Sequence, residues 1–269
     1  MKTINLSNVP LFNDKEVFLL ELLGKGGFGT VVKAYDKIKE KYVALKSFKS
    51  DLSMEDVEQI LKEDSILQKI QVIENSQKSL NSHFLNYYEV FKECQKKNKD
   101  CLMLVMENGI ATFQHVLIGD KVYESKEILY VLSYLVEGFA ILQENHIANR
   151  DVKPENIILV EDKKCEGCFQ YKILDFGIGS ELPKESSLLK VKSISGFTEK
   201  FAAPEILKFC SSDDEDVEEQ DYNPFVADVF SLGLLALNMM GYFNARKELN
   251  AGLLQQPNIF DNNRLLLQV

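Results

Sequence analysis

The chain has 269 residues, 45% of them apolar, enough material for one large domain or two lobes. Its net charge of −10 argues against nucleic acid as the main partner. Seven acids crowd into residues 211–221, so the rest of the chain is nearly neutral.

The start, Met1-Lys2-Thr3-Ile4-Asn5-Leu6-Ser7, lacks the apolar run of a signal peptide. Residues 17–23 read as a strand, followed by Gly24-Lys25-Gly26-Gly27-Phe28-Gly29 and the β-branched run Thr30-Val31-Val32. A dinucleotide fold would place a helix after these glycines. The β-branched run predicts a second strand instead, which puts the glycines at a hairpin tip. A phosphate loop of the P-loop type is excluded, because Thr30 stands where its lysine is needed. Residues 42–48 form a further strand, and alternation puts Ala44 and Lys46 on one face. Ser53 and Asp56 predict a helix start, continued by Val57, Ile60, Leu61, Leu67 and Ile70. Glu63 falls inside that apolar stripe, where a carboxylate is costly without a partner. Residues 71–82 read as a polar connector, and 83–91 and 101–106 as strands, the second running into Glu107-Asn108-Gly109. Residues 125–145 are a strong helix, with Ile128, Leu132, Leu135, Phe139 and Leu142 three or four apart. His146 is a spacer behind it.

Residues 148–159 then read Ala-Asn-Arg-Asp-Val-Lys-Pro-Glu-Asn-Ile-Ile-Leu. They set Asp151, Lys153 and Asn156 in one loop, stiffened by Pro154 and pinned by a branched strand. The trio suits phosphoryl transfer: an acid to orient a hydroxyl, a cation to neutralise the moving group, an amide to ligate a metal. A solvated turn is the alternative for that pattern alone. Arg150 is one of three arginines beside 28 lysines. Its planar fork suits a phosphate, and Ser186, Ser187, Ser193, Ser195 and Thr198 are candidates to carry one.

Five scattered cysteines fit a reducing compartment. Cys165 and Cys168 make one C-x-x-C, but no second pair or nearby histidine completes a zinc site, and a plain hairpin turn is expected. Lys172-Ile173-Leu174-Asp175-Phe176-Gly177 is a short apolar strand ending in an acid. The acidic run 211–221 has nothing apolar to bury and should be a mobile surface loop. Residues 226–240 are apolar nearly all round, which predicts a helix buried on all sides. Asp228 within it must therefore accept hydrogen bonds. The apolar stretch 229–243 is too short and interrupted to span a bilayer. A soluble, cytoplasmic protein is expected.

These motifs resemble the eukaryotic-type protein kinases, serine/threonine branch. The family's H-R-D-x-x-x-x-N stands as Asn149-Arg150-Asp151 with Asn156, and its D-F-G as Asp175-Phe176-Gly177. Its A-P-E is Ala203-Pro204-Glu205, and its V-A-I-K is Val43-Ala44-Leu45-Lys46. The resemblance covers roughly residues 17–241. It implies an α+β, two-lobed protein kinase-like fold, with a small antiparallel β N-lobe over 1–107 and a mainly helical C-lobe over 108–269. It also implies ATP and Mg²⁺. Gly24, Gly26 and Gly29 would cover the phosphates, Val31 and Ala44 would enclose the adenine, and Met106 would be the gatekeeper before the hinge Glu107–Asn108. Lys46, set by Glu63, would hold the α- and β-phosphates. Asp151 would orient the substrate hydroxyl and Lys153 steady the γ-phosphate, with Asn156 and Asp175 on the metal.

The implied activity is transfer of the γ-phosphoryl of ATP to a serine or threonine of a protein substrate, with Thr198 resembling that branch's substrate-loop threonine. The acidic run could attract basic partners; neither nucleic acid nor membrane is expected as a partner. Two departures favour an alternative, a catalytically impaired pseudokinase acting as a nucleotide-binding scaffold. Asn149 replaces a histidine whose ring stacks under the phenylalanine of D-F-G, so Asn149→His is expected to raise activity or stability. The residues after Asp228 are also too few for the family's late helices, so a shortened C-lobe is expected. The tail from Gly241 should then cover part of the helix 226–240, with Arg264 rather than Arg246 pairing Glu205.

Overall fold

A computed structural model of the chain describes residues 16–25, 29–49, 52–76, 82–95, 99–117, 123–162, 164–191, 196–208 and 219–242. In chain order the first elements are β1 (Val17–Lys25), β2 (Gly29–Asp36), β3 (Lys41–Phe48), helix α1 (Met54–Ser76), β4 (Tyr87–Gln95) and β5 (Lys99–Glu107). Next come β6 (Ala111–Thr112), α2 (Phe113–Val116), α3 (Ser125–Glu144), β7 (Ile147–Ala148), β8 (Ile157–Glu161) and β9 (Phe169–Ile173). The last are β10 (Ser180–Glu181), β11 (Leu189–Val191), α4 (Pro204–Lys208), β12 (Gln220–Tyr222) and α5 (Pro224–Met239). No helix among the described residues is long and apolar enough to cross a membrane.

The chain divides into two units: Met1–Ile110 with Ile158–Gly177, and Ala111–Ile157 with Ile178–Val269. A single cut after residue 107 would give 158–177 to the second. Backbone bonds explain their place in the first. Ile110 N–H donates to Leu159 O at 2.8 Å, Ile173 N–H to His83 O at 2.8 Å, and Leu85 N–H to Ile173 O at 3.0 Å.

In the first unit an antiparallel five-stranded sheet runs in the order β1-β2-β3-β5-β4. Ala34, Val43, Leu45, Phe91 and Val105 form a core on it. Gly29 is required at the start of β2, because a Cβ there would overlap the carbonyl of Ser47 on β3. Helix α1 opens with a capping box: Asp56 N–H donates to Ser53 Oγ at 3.1 Å and Ser53 N–H to Asp56 Oδ2 at 2.8 Å. The helix continues through Ser76, into the stretch read as a connector. Its polar residues there are not solvated fillers. Glu74 accepts from the N–H groups of His83 and Phe84 at 2.7 and 3.1 Å, and Gln71 Oε1 from Tyr87 N–H at 3.0 Å. Phe84 bridges to Ile173, and the regular strand read as 83–91 begins only at Tyr87. Cys165 and Cys168 are joined as a disulfide at the turn between β8 and β9, where only a plain turn was expected.

The second unit is built on α3 and α5. α3 ends where His146 takes a left-handed conformation (φ 57°). α5 is capped by Asn223, whose Oδ1 accepts from Phe225 and Val226 N–H at 3.0 and 3.3 Å, with Pro224 at its first turn. The helix is not buried on all sides: Val226 and Val229 are 57% and 60% exposed. Composition alone read one face too many as covered, because no described residue packs over that stripe. The end of the acidic run also differs from expectation, since Gln220 and Asp221 belong to β12, which pairs antiparallel with β11. Residues 211–218, the tail beyond 242 and both Arg246 and Arg264 lie outside the described residues.

Candidate active site

In the first unit, three charged side chains meet at one point. Lys46 Nζ on β3 lies 2.8 Å from Glu63 Oε1 on α1 and 3.3 Å from Asp175 Oδ1, after β9. Glu63, placed inside the apolar stripe by its spacing, is 3% exposed, and the lysine is the partner that makes this tolerable. Burial alone would lower the lysine's pKa, but the two carboxylates hold its ammonium above the usual value. Asp175 sits in a left-handed conformation (φ 66°), fixed by Gly177 N–H donating to its Oδ1 at 3.1 Å. Gln59 on α1 donates to the carbonyl of Gly177. Phe176, 1% exposed, has the ring of Phe84 against it at 6.4 Å between centroids. Phe84 was not singled out from sequence.

The residues assigned to the nucleotide lie on neighbouring strands. Val31 is directly opposite Lys46 across β2 and β3, and Ala44 is opposite Met106 across β3 and β5. Gly24 has open space about it, and Gly26 lies outside the described residues. Glu107 and Asn108 follow Met106, and the Asn108 amide donates to Gly109 O at 3.0 Å.

In the second unit, the loop after β7 is held by its backbone and by a closed polar network. Asp228, 4% exposed on α5, accepts Asn149 N–H at 2.8 Å and Arg150 N–H at 2.7 Å on its two oxygens. That is the use predicted for an acid in so apolar a helix. Burial pushes its carboxyl up to about 7, with the two backbone donors pulling the other way. The Asn149 side-chain oxygen accepts Asp151 N–H at 3.2 Å, closing a turn around the left-handed Arg150 (φ 70°). Asp151 Oδ1 accepts the Thr198 hydroxyl at 2.8 Å, and Lys153 Nζ reaches Asp151 Oδ2 at 2.6 Å and Thr198 Oγ1 at 2.8 Å. Asn156 Nδ2 donates to Asp151 O and Oδ2, both at 2.9 Å. Arg150 Nη1 donates to Ile178 O and Ser180 Oγ, both at 3.0 Å, and its guanidinium lies 5.9 Å from the Tyr222 ring. Of the phosphate-bearing candidates, Ser193 and Ser195 lie outside the described residues, and Ser186 donates to Leu188 O instead.

Among the described residues no group of three or more His, Cys, Asp or Glu could hold a metal. Each unit offers an oxygen of the kind that suits Mg²⁺, a hard ion that takes one or two protein oxygens and completes its shell with phosphates and water. Asp175 offers a carboxylate with its side chain 35% exposed. The side-chain bonds of Asn156 to Asp151 both run through Nδ2, which leaves its side-chain oxygen for such a ligand.

Comparison with known proteins agrees with this geometry. The protein kinase domain family matches residues 18–260. Serine/threonine-protein kinase pakH of Dictyostelium discoideum is 32% identical over 221 residues, 81% of this chain and 36% of the relative. Serine/threonine-protein kinase pakG of the same organism is 30% identical over 232 residues, 85% of this chain and 16% of the relative. The Titin homolog of Caenorhabditis elegans is 29% identical over 209 residues, 77% of this chain but 1% of that protein. The chain belongs to the protein kinase family, whose members use ATP and Mg²⁺ to phosphorylate proteins. It spans about a third or less of the length of these relatives.

Proposed function

We propose that this chain is a protein serine/threonine kinase, transferring the γ-phosphoryl of ATP to a protein hydroxyl. The observation that carries the reading is the bond from the Thr198 hydroxyl to Asp151 Oδ1 at 2.8 Å, with Lys153 on the same hydroxyl at 2.8 Å. The loop already orients a hydroxyl of the chemical type that a serine or threonine substrate presents. Asp151 would align that substrate oxygen and accept its proton, and Lys153 would offset the charge of the incoming phosphoryl. Lys46, held by Glu63, would bind the α- and β-phosphates beside Asp175. Gly24, Gly26 and Gly29 would cover the phosphates, Val31, Ala44 and Met106 would line the adenine, and Glu107–Asn108 would present backbone groups to it. Mg²⁺, held by Asp175 and Asn156, would supply charge neutralisation on the phosphates.

Of the two motives for the scaffold alternative, Asn149 has its own place in the loop, and the short stretch after Asp228 lies mostly outside the described residues. The acidic run 211–221 is proposed to attract basic substrates or partners. A cytoplasmic location is proposed from the scattered cysteines; a disulfide between neighbours at one turn is unlike the cross-linked framework of a small secreted domain. Incubation with radiolabelled ATP, Mg²⁺ and a generic basic protein tests the reading, with Asp151→Asn as control. Label on serine or threonine with the wild type alone supports it, and equal label with both proteins refutes it.

A further inference from the structure

Strand β9 buries Ile173 at its end, yet others of its residues run against their polarity. Phe169 is 41% exposed, whereas Gln170 and Lys172 are 9% and 3% exposed. A strand that shows an aromatic ring to solvent and buries an ammonium does so for what the ammonium meets. Lys172 Nζ lies 2.8 Å from Glu107 Oε2, at the last residue of β5, with the two side chains 4% and 17% exposed. The same oxygen accepts from Asn86 N–H at 3.1 Å and Asn86 Nδ2 at 2.8 Å, while Glu107 N–H donates to Asn86 O at 2.8 Å. Residues 83–86 are themselves bonded to β9 through Ile173. One partly buried cluster therefore fastens the end of β5, which leads into the proposed adenine-holding residues, to β9, which leads into Asp175.

We propose that Lys172 is a positioning residue for an adenine nucleotide, fixing the spacing between the ends of β5 and β9 that a nucleotide engaging both must match. The inference rests on the kinase reading and adds a residue that touches neither adenine nor metal. A buried ion pair is weak evidence of stabilisation, since neutral replacement of both members is often tolerated. A role in spacing is different. It predicts that a ligand reaching both ends suffers when the geometry of the pair is changed at Lys172, while a ligand held at one end does not.

The test is Lys172→Arg, which keeps the charge for Glu107 but changes its reach. Binding of Mg²⁺–ATP and of adenosine is measured by calorimetry on the same folded preparations, beside melting temperature. The expected result is a near-wild-type melting temperature, Mg²⁺–ATP binding weakened roughly tenfold or more and adenosine binding changed less than about twofold. Unchanged Mg²⁺–ATP affinity overturns the inference, and so does an equal loss for both ligands, which would mark a local packing role. Should that variant not fold, Lys172→Gln shortens the reach and keeps a donor for Glu107. It is expected to weaken Mg²⁺–ATP selectively, and wild-type affinity there overturns the inference. A wild-type protein that binds neither ligand overturns the kinase reading itself, an outcome separate from any difference among variants.

Discussion

Asp151 and Asp175 are two acids on left-handed turns, one held shut and the other open. Arg150, before the first, has φ 70°, and Asp175 itself has φ 66°. Both are conformations that a residue with a side chain keeps only when its surroundings impose them. The Asp151 side chain is 13% exposed, and its two oxygens receive Thr198, Lys153 and Asn156. The Asp175 side chain is 35% exposed and lies 3.3 Å from the ammonium of Lys46. The contrast fits two jobs: a fixed acceptor for one hydroxyl, and a carboxylate still accessible to an ion from solvent.

The largest expected effect separates these jobs. Asp151→Asn should lower turnover by about 10²–10⁴ with Mg²⁺–ATP affinity nearly unchanged, whereas Asp175→Asn should weaken metal-dependent nucleotide binding itself. Calorimetric titration with and without Mg²⁺, beside single-turnover rates, checks both. Wild-type turnover in both variants would remove the assignment.

Next in size is the pair that sits beside Asp175. Glu63→Ala takes away the nearer of the two carboxylates on Lys46 and leaves Asp175 at 3.3 Å, and removing one member of a buried pair costs about 3–5 kcal/mol. Urea unfolding should show a loss of that order. A loss under about 1 kcal/mol would mean that the pair behaves like a surface salt bridge.

The acid behind Asp151 gives a pH dependence of definite sign. Burial holds the Asp228 carboxyl at about 7 in the folded protein, while the unfolded chain releases the proton near the ordinary value of about 3.9. Between these values the folded state keeps a proton that the unfolded state has lost. Its contribution to stability therefore falls as pH rises from about 4 to about 7, and is flat above. The loop responds in the opposite sense, because a proton on one oxygen displaces an N–H donor of Asn149 or Arg150. Melting temperature should fall and kcat should rise across that window, and Asp228→Asn should flatten both. An acid limb near pH 7 that survives in the variant belongs to another group.

What the sequence made legible is what short-range spacing can carry. Glu63 was placed by helical spacing and Asp228 by its isolation in an apolar run, and both have the partners that their burial demands. The connector 71–82 was misread because Gln71 and Glu74 look like solvent-facing residues until the returning chain supplies their N–H donors. Lys172 has no role legible in the sequence, since a lysine among apolar neighbours signals a buried charge but not a partner 65 positions away. Phe84 against Phe176 is likewise a tertiary contact with no local pattern behind it.

The smallest expected effect concerns Asn149, and it reverses an expectation from sequence. An asparagine in place of an aromatic ring was read as a loss, to be repaired by Asn149→His. Within the first unit, however, Phe176 already has the Phe84 ring beside it. Within the second, Asn149 is 1% exposed and its oxygen accepts the N–H of Asp151 at 3.2 Å, across the left-handed Arg150. The amide therefore helps to hold the backbone of the acid that would orient the substrate. One such bond contributes about 0.5–1.5 kcal/mol net. Asn149→Leu, which keeps the shape and removes the acceptor, should lower kcat a few-fold and leave the KM for ATP unchanged. Asn149→Ser can still accept from the residue two positions on, more weakly, and should recover part of the loss. Asn149→His should bring no gain. Higher kcat in the histidine variant would show that ring stacking limits this site after all, and that the bond to Asp151 is incidental.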